Sequence, residues 1–239
     1  MDTAELLARA RTAAKQGILR YSIVTSGKRL NRDEITQVCQ SIRAIREQVG
    51  IAVCVSFGLL DEEAFTKIRA AGASRVHCNL ETARDYFPTI CTTHTYDEKI
   101  ETLKAARRAG LSICSGGIMG LGESVENRIQ MALDLRELRV LSVPVNFLNP
   151  IPGTPYEHNR SLSEQEKCRI IAVYRFLLPN ASIRLAGGRG QMPDKGAQCF
   201  ISGANAAITG DMLTTAGISP ETDLALLKKL GYRTELCHG

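Results

Sequence analysis

The feature of this chain that most constrains its fold is a junction repeated four times, in which a helical pattern ends in glycine and an apolar strand follows. The glycines are Gly17, Gly50, Gly72 and Gly110. A glycine after a helix can adopt the left-handed conformation that ends it, and a short step into a strand is typical of repeating α/β units. The segments 33–48 and 96–109 repeat apolar residues at three- and four-residue steps, which predicts amphipathic helices with one buried face.

Seven apolar strand patterns alternate with helices along the chain. They lie at 18–25, 51–57, 75–80, 111–114, 141–148, 182–186 and 205–209. A TIM-type (β/α)8 barrel has eight strands and about 250 residues, whereas this chain starts within a helix, at a capping pattern formed by 2–5. We therefore predict one domain over 1–239, an α/β barrel of this kind that lacks its first strand. An open doubly wound sheet is the competing architecture, because periodicity does not distinguish a closed sheet from an open one.

The composition of the 239 residues limits the classes of function. With 44% hydrophobic and 23% charged residues, the chain can bury a substantial core. The net charge is +5, but the lysines and arginines are spread along helices, which argues against nucleic-acid binding. The sequence has neither an 18-residue apolar run nor a signal pattern at its start. We therefore predict a cytoplasmic protein that does not enter a membrane.

The eight cysteines are many for 239 residues, and their spacing limits the metal sites that they can form. They occupy positions 39, 54, 78, 91, 114, 168, 199 and 237, without a CxxC or CxxxCxxC cluster. Without a signal peptide a disulfide scaffold is disfavoured, so any metal centre must draw its thiolates from distant strands. A single cysteine in an apolar segment is more often a small buried hydrophobe than a ligand, and we assign Cys39, Cys168 and Cys199 to such inert roles.

Polar and thiol side chains stand at the carboxyl ends of the predicted strands, where an α/β barrel places its chemistry. In chain order they are Arg20, Ser22, Cys54, Asn79, Glu81, Cys114, Asn146 and Arg184, followed by Thr214 and Thr215. Alternate residues of barrel strands face one lumen, which would bring Cys54, Cys114 and Arg184 together and indicates an iron–sulfur site. The amides of Asn79 and Asn146 are costly to bury without partners, and a bound polar ligand would satisfy them.

Six short motifs follow one another in a consistent order. They are Cys114-Ser-Gly-Gly-Ile-Met-Gly-Leu-Gly-Glu123, Val143-Pro-Val-Asn146, Gly153-Thr-Pro155, Arg184-Leu-Ala-Gly-Gly-Arg189, Gly203-Ala-Asn-Ala206 and Leu213-Thr-Thr215. Together they resemble the biotin synthases, a family of radical S-adenosylmethionine (SAM) enzymes, over about residues 2–232. The resemblance implies a (β/α)8 barrel and a homodimer.

The resemblance also implies a reaction and its cofactors. A [4Fe-4S] cluster chelates SAM, and its reduction by a protein such as flavodoxin or ferredoxin cleaves SAM to methionine and a 5′-deoxyadenosyl radical. The radical abstracts hydrogens from dethiobiotin, and an auxiliary cluster, [2Fe-2S] in the familiar members, donates the sulfur of biotin. The cofactors perform this chemistry while the protein orients the reacting carbons. The predicted activity is that of a sulfurtransferase.

Roles for single residues are implied in the same way. Cys54, Cys114 and Arg184 match ligands of the auxiliary cluster, and Arg20 matches a residue near it. The residues that match SAM-binding groups are Glu81, Asn146 and Ile118, of which Ile118 meets the adenine. The residues that match groups contacting dethiobiotin are Asn79, Asn146, Thr214 and Thr215.

The chain departs from the family pattern in two respects. Ser22 stands where familiar members have a third cysteine of the auxiliary cluster, and a serine oxygen is a poorer ligand for such iron. With serine at this position, we expect that the auxiliary cluster is bound differently, is of another type, or takes Cys78 or Cys91 as a ligand. The CxxxCxxC motif of the [4Fe-4S] cluster is absent, so we expect an amino-terminally incomplete chain that does not cleave SAM alone. The alternatives are a related radical SAM methylase or maturase, and a non-catalytic binding protein that keeps the pocket.

Overall fold

The computed structural model describes residues 2–210 and 217–236. In chain order its elements are α1 (Thr3–Lys15), β1 (Arg20–Val24), α2 (Arg32–Gln48), β2 (Ala52–Ser56), α3 (Glu62–Ala70), β3 (Arg75–His77), α4 (Phe87–Ile90), α5 (Tyr96–Arg108), β4 (Ser112–Cys114), β5 (Gly117–Met119), α6 (Val125–Glu137), β6 (Ser142–Phe147), α7 (Glu164–Leu177), β7 (Ser182–Leu185), α8 (Ala197–Ile201), β8 (Ala206–Ala207) and α9 (Pro220–Lys229). The predicted alternation of helices and strands is confirmed. Among the described helices, none combines the length and apolar character that a membrane crossing requires.

The chain divides into two compact units. The first comprises the described residues of Met1–Cys78, Asp97–Ile113 and Thr234–His238, and the second those of Asn79–Tyr96 and Cys114–Arg233. In the first unit β1, β2 and β3 pair in parallel and in chain order. Their alternate residues Ile23, Val53 and Val55 are buried and form one apolar face of the sheet. The opposite face therefore carries the polar side chains and the thiol of these strands.

The second unit contains a parallel sheet as well. Cys114 at the end of β4 pairs with β6, which pairs with β7, which pairs with β8. Within each unit, neighbouring strands follow chain order, whereas a doubly wound sheet reverses its order at a switch point. One element differs from the sequence-based prediction: the glycine-rich stretch after Cys114 is not only a bend, because Gly117–Met119 forms β5 and pairs with β6. Two adjacent glycines hide the strand pattern.

The four junction glycines adopt the left-handed conformation that their sequence positions predict. Their φ angles are 79° at Gly17, 75° at Gly50, 109° at Gly72 and 79° at Gly110. Arginines donate to backbone carbonyls at two of these junctions: Arg46 to Gly50 and Ile51, and Arg69 to Gly110. Because the accepting residues follow the ends of α2 and α5, these guanidinium groups give hydrogen-bond donors to the connections that lead into the next strands.

Asn31 begins α2 with a reciprocal capping arrangement. Its Oδ1 accepts hydrogen bonds from the backbone N–H groups of Asp33 and Glu34 at 3.0 Å, while the Glu34 carboxylate accepts from the Asn31 N–H at 2.7 Å. At α1 the capping pattern predicted at 2–5 is wrong in one detail, because Asp2 is the N-cap residue but its side chain makes no capping hydrogen bond. A side-chain cap therefore does not determine where α1 begins.

We expect Asn31→Ala to lower the free energy of unfolding by about 1 kcal/mol, because two backbone N–H groups of α2 lose their acceptor. Asp2→Ala is the matched control at the other N-cap and should change stability much less. Urea unfolding followed by circular dichroism measures both variants. Equal losses at the two positions would show that the Asn31 cap contributes nothing specific.

Candidate functional site

A thiol, a hydroxyl and a guanidinium lie in a row across three neighbouring strands of the second unit. Strand pairing places Ser142 beside Cys114, and Arg184 beside Pro144 of the same strand. The Ser142 hydroxyl donates to Cys114 Sγ at 3.1 Å and accepts from Arg184 Nε at 2.7 Å. Cys114 is buried and Arg184 is half-buried. The structure thus connects the predicted residues Cys114 and Arg184 through Ser142.

Sequence reasoning missed Ser142. The residue precedes Pro144 and Asn146 at alternate positions of β6, so all three share one face of the strand. Asn146 is recognisable because an amide at the end of a buried strand needs hydrogen-bond partners, whereas a serine at a strand start is a common residue. The signal that identifies Ser142 is its place directly before the motif that begins at Val143, on the same strand face as Asn146.

Asn79, Glu81 and Gly116 form a second group of linked residues in this unit. The Gly116 N–H donates to Asn79 Oδ1 at 3.1 Å, and Asn79 Nδ2 donates to Glu81 Oε2 at 3.3 Å. The Glu81 backbone has a φ of 71°, donates to the Gly116 carbonyl at 3.1 Å and accepts from the Ile118 N–H at 2.8 Å. A left-handed conformation is unfavourable for glutamate and is found disproportionately at functional sites. Gly116 and Ile118 therefore hold the Glu81 backbone, and Asn79 holds its carboxylate.

Asn146 lies beside Ile118, because β5 and β6 pair at these two residues. The Asn146 amide donates to the Gly117 carbonyl at 3.1 Å and accepts from the Gly187 N–H at 2.9 Å. The sequence analysis expected a bound polar ligand to satisfy this amide, and in the structure backbone groups of two glycines do so. The side chain is thereby held in one orientation.

Glu123 closes the glycine-rich motif that begins at Cys114. Its Oε1 accepts from the Gly120 N–H at 2.8 Å and from Arg128 Nε at 2.6 Å, and its side chain is 2% exposed. The buried carboxylate therefore ties the loop after β5 to the first turns of α6. Its second oxygen has no hydrogen-bond partner among the described residues.

In the first unit, Ser22 and Cys54 are neighbours on adjacent strands, and Arg75 lies beside Cys54 on the other side. Cys54 is buried and Ser22 is exposed. Arg75 is 1% exposed and donates from Nε to Ser112 Oγ at 3.2 Å. Arg20 donates to Ser74 Oγ at 2.6 Å. The buried cation at Arg75 was not predicted, because arginine is rarely buried and no motif marks it.

The structure also places the two cysteines that could replace the missing third ligand. Cys78 is buried directly after β3. Cys91 is half-buried after α4, with its Sγ 3.5 Å from Thr93 Oγ1 and 3.5 Å from His94 Nδ1. A role of either residue in a cluster stays a prediction. Thr214 and Thr215 lie outside the described residues.

Two family models and several known proteins match this chain. The Radical SAM superfamily model matches residues 1–135, and the Biotin and Thiamin Synthesis associated domain matches residues 144–233. The biotin synthase of Brachyspira hyodysenteriae is 55% identical over 99% of this chain and 71% of the relative. Biotin synthase 2 of Corynebacterium diphtheriae is 55% identical over 98% of this chain and 71% of the relative. The crystal structure of methylornithine synthase matches with a TM-score of 0.83 at 19% identity, over 98% of this chain and 73% of that one.

The shared fold and the superfamily match place the chain in the class of radical SAM enzymes, and they confirm the predicted α/β fold class. Radical SAM enzymes use SAM and iron–sulfur clusters as cofactors. With 55% identity over nearly its whole length, the chain belongs to the biotin synthase family. It spans about 71% of the length of these relatives.

The donor chemistry of the second unit fits one part of this cofactor set. A buried thiol, with a hydroxyl that donates to it, suits iron–sulfur ligation, since cluster iron prefers thiolates. A carboxylate and an oriented amide suit the charged methionine moiety and the polar base of SAM. The radical-generating cluster does not fit, because the sequence has no CxxxCxxC motif. No three His, Cys, Asp or Glu side chains gather into an ion site within 2–210 and 217–236.

Proposed function

We propose that this chain carries the substrate-binding and sulfur-donating machinery of a biotin synthase, which converts dethiobiotin to biotin. The observation that carries the proposal is the identity to biotin synthases over 99% of the chain. It is supported by the row of Cys114, Ser142 and Arg184, which is suited to hold a sulfur-rich cluster. Sulfur insertion needs such a donor, and the protein's part is to hold it in place.

Cys54, Cys114 and Arg184 are the proposed ligands of an auxiliary iron–sulfur cluster, with Arg20 near it. When bound, that cluster supplies the sulfur atom of the product. The cluster is [2Fe-2S] or a variant of it, because Ser22 replaces a thiolate with a harder oxygen. In the second unit, Arg184 orients the Ser142 hydroxyl, so that its proton points at Cys114 Sγ. A donor on the sulfur suits the thiolate form that ligates iron.

Glu81, Asn146 and Ile118 are the proposed SAM-binding residues. The Glu81 carboxylate binds the cationic amino group of the methionine moiety, and Asn79 orients that carboxylate by its own hydrogen bond. Ile118 is half-buried and offers an apolar surface to the adenine. Asn79 and Asn146 present amides to dethiobiotin, and Thr214 and Thr215 hold its tail. These roles use electrostatic attraction and fixed hydrogen bonds to orient the reactants.

We further propose that these 239 residues bind the reactants but do not by themselves cleave SAM, because they contain no CxxxCxxC motif. The complete reaction requires a [4Fe-4S] cluster and an electron-donating protein of the flavodoxin or ferredoxin type. A homodimer is the proposed assembly. A non-catalytic binding role for the chain alone is the second candidate, favoured by the same missing motif.

Removal of the Cys114 thiol tests the auxiliary site. After anaerobic reconstitution with iron and sulfide, we expect Cys114→Ala to lose most of the bound iron and its Mössbauer signal. Cys39→Ala is the matched control, because Cys39 is a buried thiol on α2 with no proposed ligand role. Circular dichroism of both variants checks that each has folded. Unchanged iron in folded Cys114→Ala would remove Cys114 from the ligand set.

A further inference from the structure

The geometry points to a thiol modification site formed by Cys168 and Cys199, at which a low-molecular-weight disulfide would oxidise the two side chains to an intrachain cross-link. Cys168 lies on α7 and Cys199 on α8, and their Sγ atoms are 3.9 Å apart. Both thiols belong to the second unit, and neither has a role in the proposed function. Two sulfur atoms in contact need only a small side-chain rotation to reach bonding distance.

The two thiols differ in exposure, which sets the order of the reaction. Cys168 is half-buried and reaches solvent, whereas Cys199 is 0% exposed. Burial raises the pKa of the Cys199 thiol, and the neighbouring Cys168 raises it further. A thiol that is buried and protonated reacts slowly with a reagent in solution. Cys168 is therefore the attacking thiol and Cys199 the resolving one.

The chemistry proceeds by two thiol–disulfide exchanges. In the first, the Cys168 thiolate attacks one sulfur of a disulfide RSSR, forms Cys168–S–SR and releases RS⁻, which takes up a proton. In the second, Cys199 gives its proton to solvent and its thiolate attacks Cys168 Sγ, which displaces the second RS⁻. Two protein thiols are oxidised and one RSSR is reduced to two RSH. The product is a bond that joins α7 to α8.

The backbone around the pair can accept the cross-link without breaking the joint between these helices. Arg175, about two helix turns beyond Cys168 on α7, donates to the carbonyl of Gly203, which follows α8. The same guanidinium donates to the carbonyls of Leu178, Pro179 and Ala181. The helices are thus already held together by hydrogen bonds. The disulfide would close a loop of the chain that this packing has already brought together.

Peptide mapping after treatment with oxidised glutathione tests the inference on the full chain. We expect a linked pair of chymotryptic peptides containing Cys168 and Cys199, and an intact mass lower by two hydrogen atoms. Cys199→Ser should stop at the glutathione adduct on Cys168, and Cys168→Ser should leave Cys199 unmodified. The cross-linked protein should melt ~5 °C higher or more than the reduced protein, because a long loop is closed in the unfolded state.

Cys39→Ser is the matched control and should form the link as the unaltered chain does. Folding of each serine variant is checked by circular dichroism before oxidation. The inference is overturned if the folded chain stops at a mixed disulfide, or if the link forms only in denaturing urea. Modification of Cys199 in the Cys168→Ser variant would overturn the assigned order of attack. Iron content plays no part in this readout, so the result is independent of the proposed function.

Discussion

Replacing Arg189 with alanine should lower the free energy of unfolding by about 3–5 kcal/mol. Arg189 is 2% exposed, and its guanidinium donates to both carboxylate oxygens of Asp223, from Nη1 at 2.7 Å and from Nη2 at 2.6 Å. It also donates to the carbonyls of Lys195 and Ile208. Removal of the arginine leaves Asp223 buried as an unpaired charge, and this uncompensated charge is the main cost. The pair joins the segment after β7 to α9.

Urea unfolding followed by circular dichroism measures this loss, since the chain contains no tryptophan for fluorescence. Arg9→Ala is the control, because Arg9 and Glu5 form an ion pair of the same length, 2.6 Å, with side chains 61% and 48% exposed. Exposed pairs contribute little, so its unfolding midpoint should hardly move. If Arg189→Ala were no more destabilised than Arg9→Ala, the buried pair would not be a stabilising contact of the second unit.

The second large effect concerns Gly116, which should not tolerate even a methyl group. An added Cβ would lie 1.9 Å from the carbonyl oxygen of Pro144, a backbone atom of β6. Relief of that overlap requires the strand pairing beside Cys114 and Ser142 to open. We expect Gly116→Ala to lower the free energy of unfolding by about 3 kcal/mol or more, at the upper end of overpacking effects. Reconstituted iron should fall with it, because the Cys114 row depends on the same pairing.

Gly153→Ala provides the comparison, because among the described residues no atom beyond its two chain neighbours lies within 4 Å of the position that its Cβ would take. Gly153 has a φ of 79°, so alanine there should cost only the strain of a left-handed residue, about 1–2 kcal/mol. Thermal melts rank the two variants. If Gly116→Ala had the same melting temperature as Gly153→Ala, β6 would shift easily. The close approach of Gly116 to the Pro144 carbonyl would then place no constraint on the site.

The order and type of the elements could be predicted because they depend on local patterns. Glycine after a helix and alternation of apolar residues act over a few positions, so Gly17, Gly50, Gly72 and Gly110 marked their junctions correctly. The strand β5 could not be found in this way. Its residues Gly117 and Met119 pair with β6 through backbone groups, and a glycine has no side chain from which a pattern can be read.

The site could be predicted only as a set of residue types. Cys114, Arg184, Asn79 and Glu81 were named from strand ends and motifs, but Ser142, which links the first two, was not. Nor does a sequence reveal that Glu81 adopts a left-handed backbone, because that conformation results from hydrogen bonds with residues far along the chain. Contacts between distant segments decide these features.

The hydrogen bonds of Asn146 have a consequence for ligand affinity. Its amide already exchanges hydrogen bonds with Gly117 and Gly187, so its rotamer is fixed and part of its hydration has been removed before a ligand arrives. The entropy lost on ordering this side chain is therefore part of the free energy of folding and does not weaken ligand binding. Aspartate would be a poor substitute despite its similar size, because it would set a carboxylate oxygen against the Gly117 carbonyl. The amide thus acts as a preorganised contact whose direction was set when β5 and β6 paired.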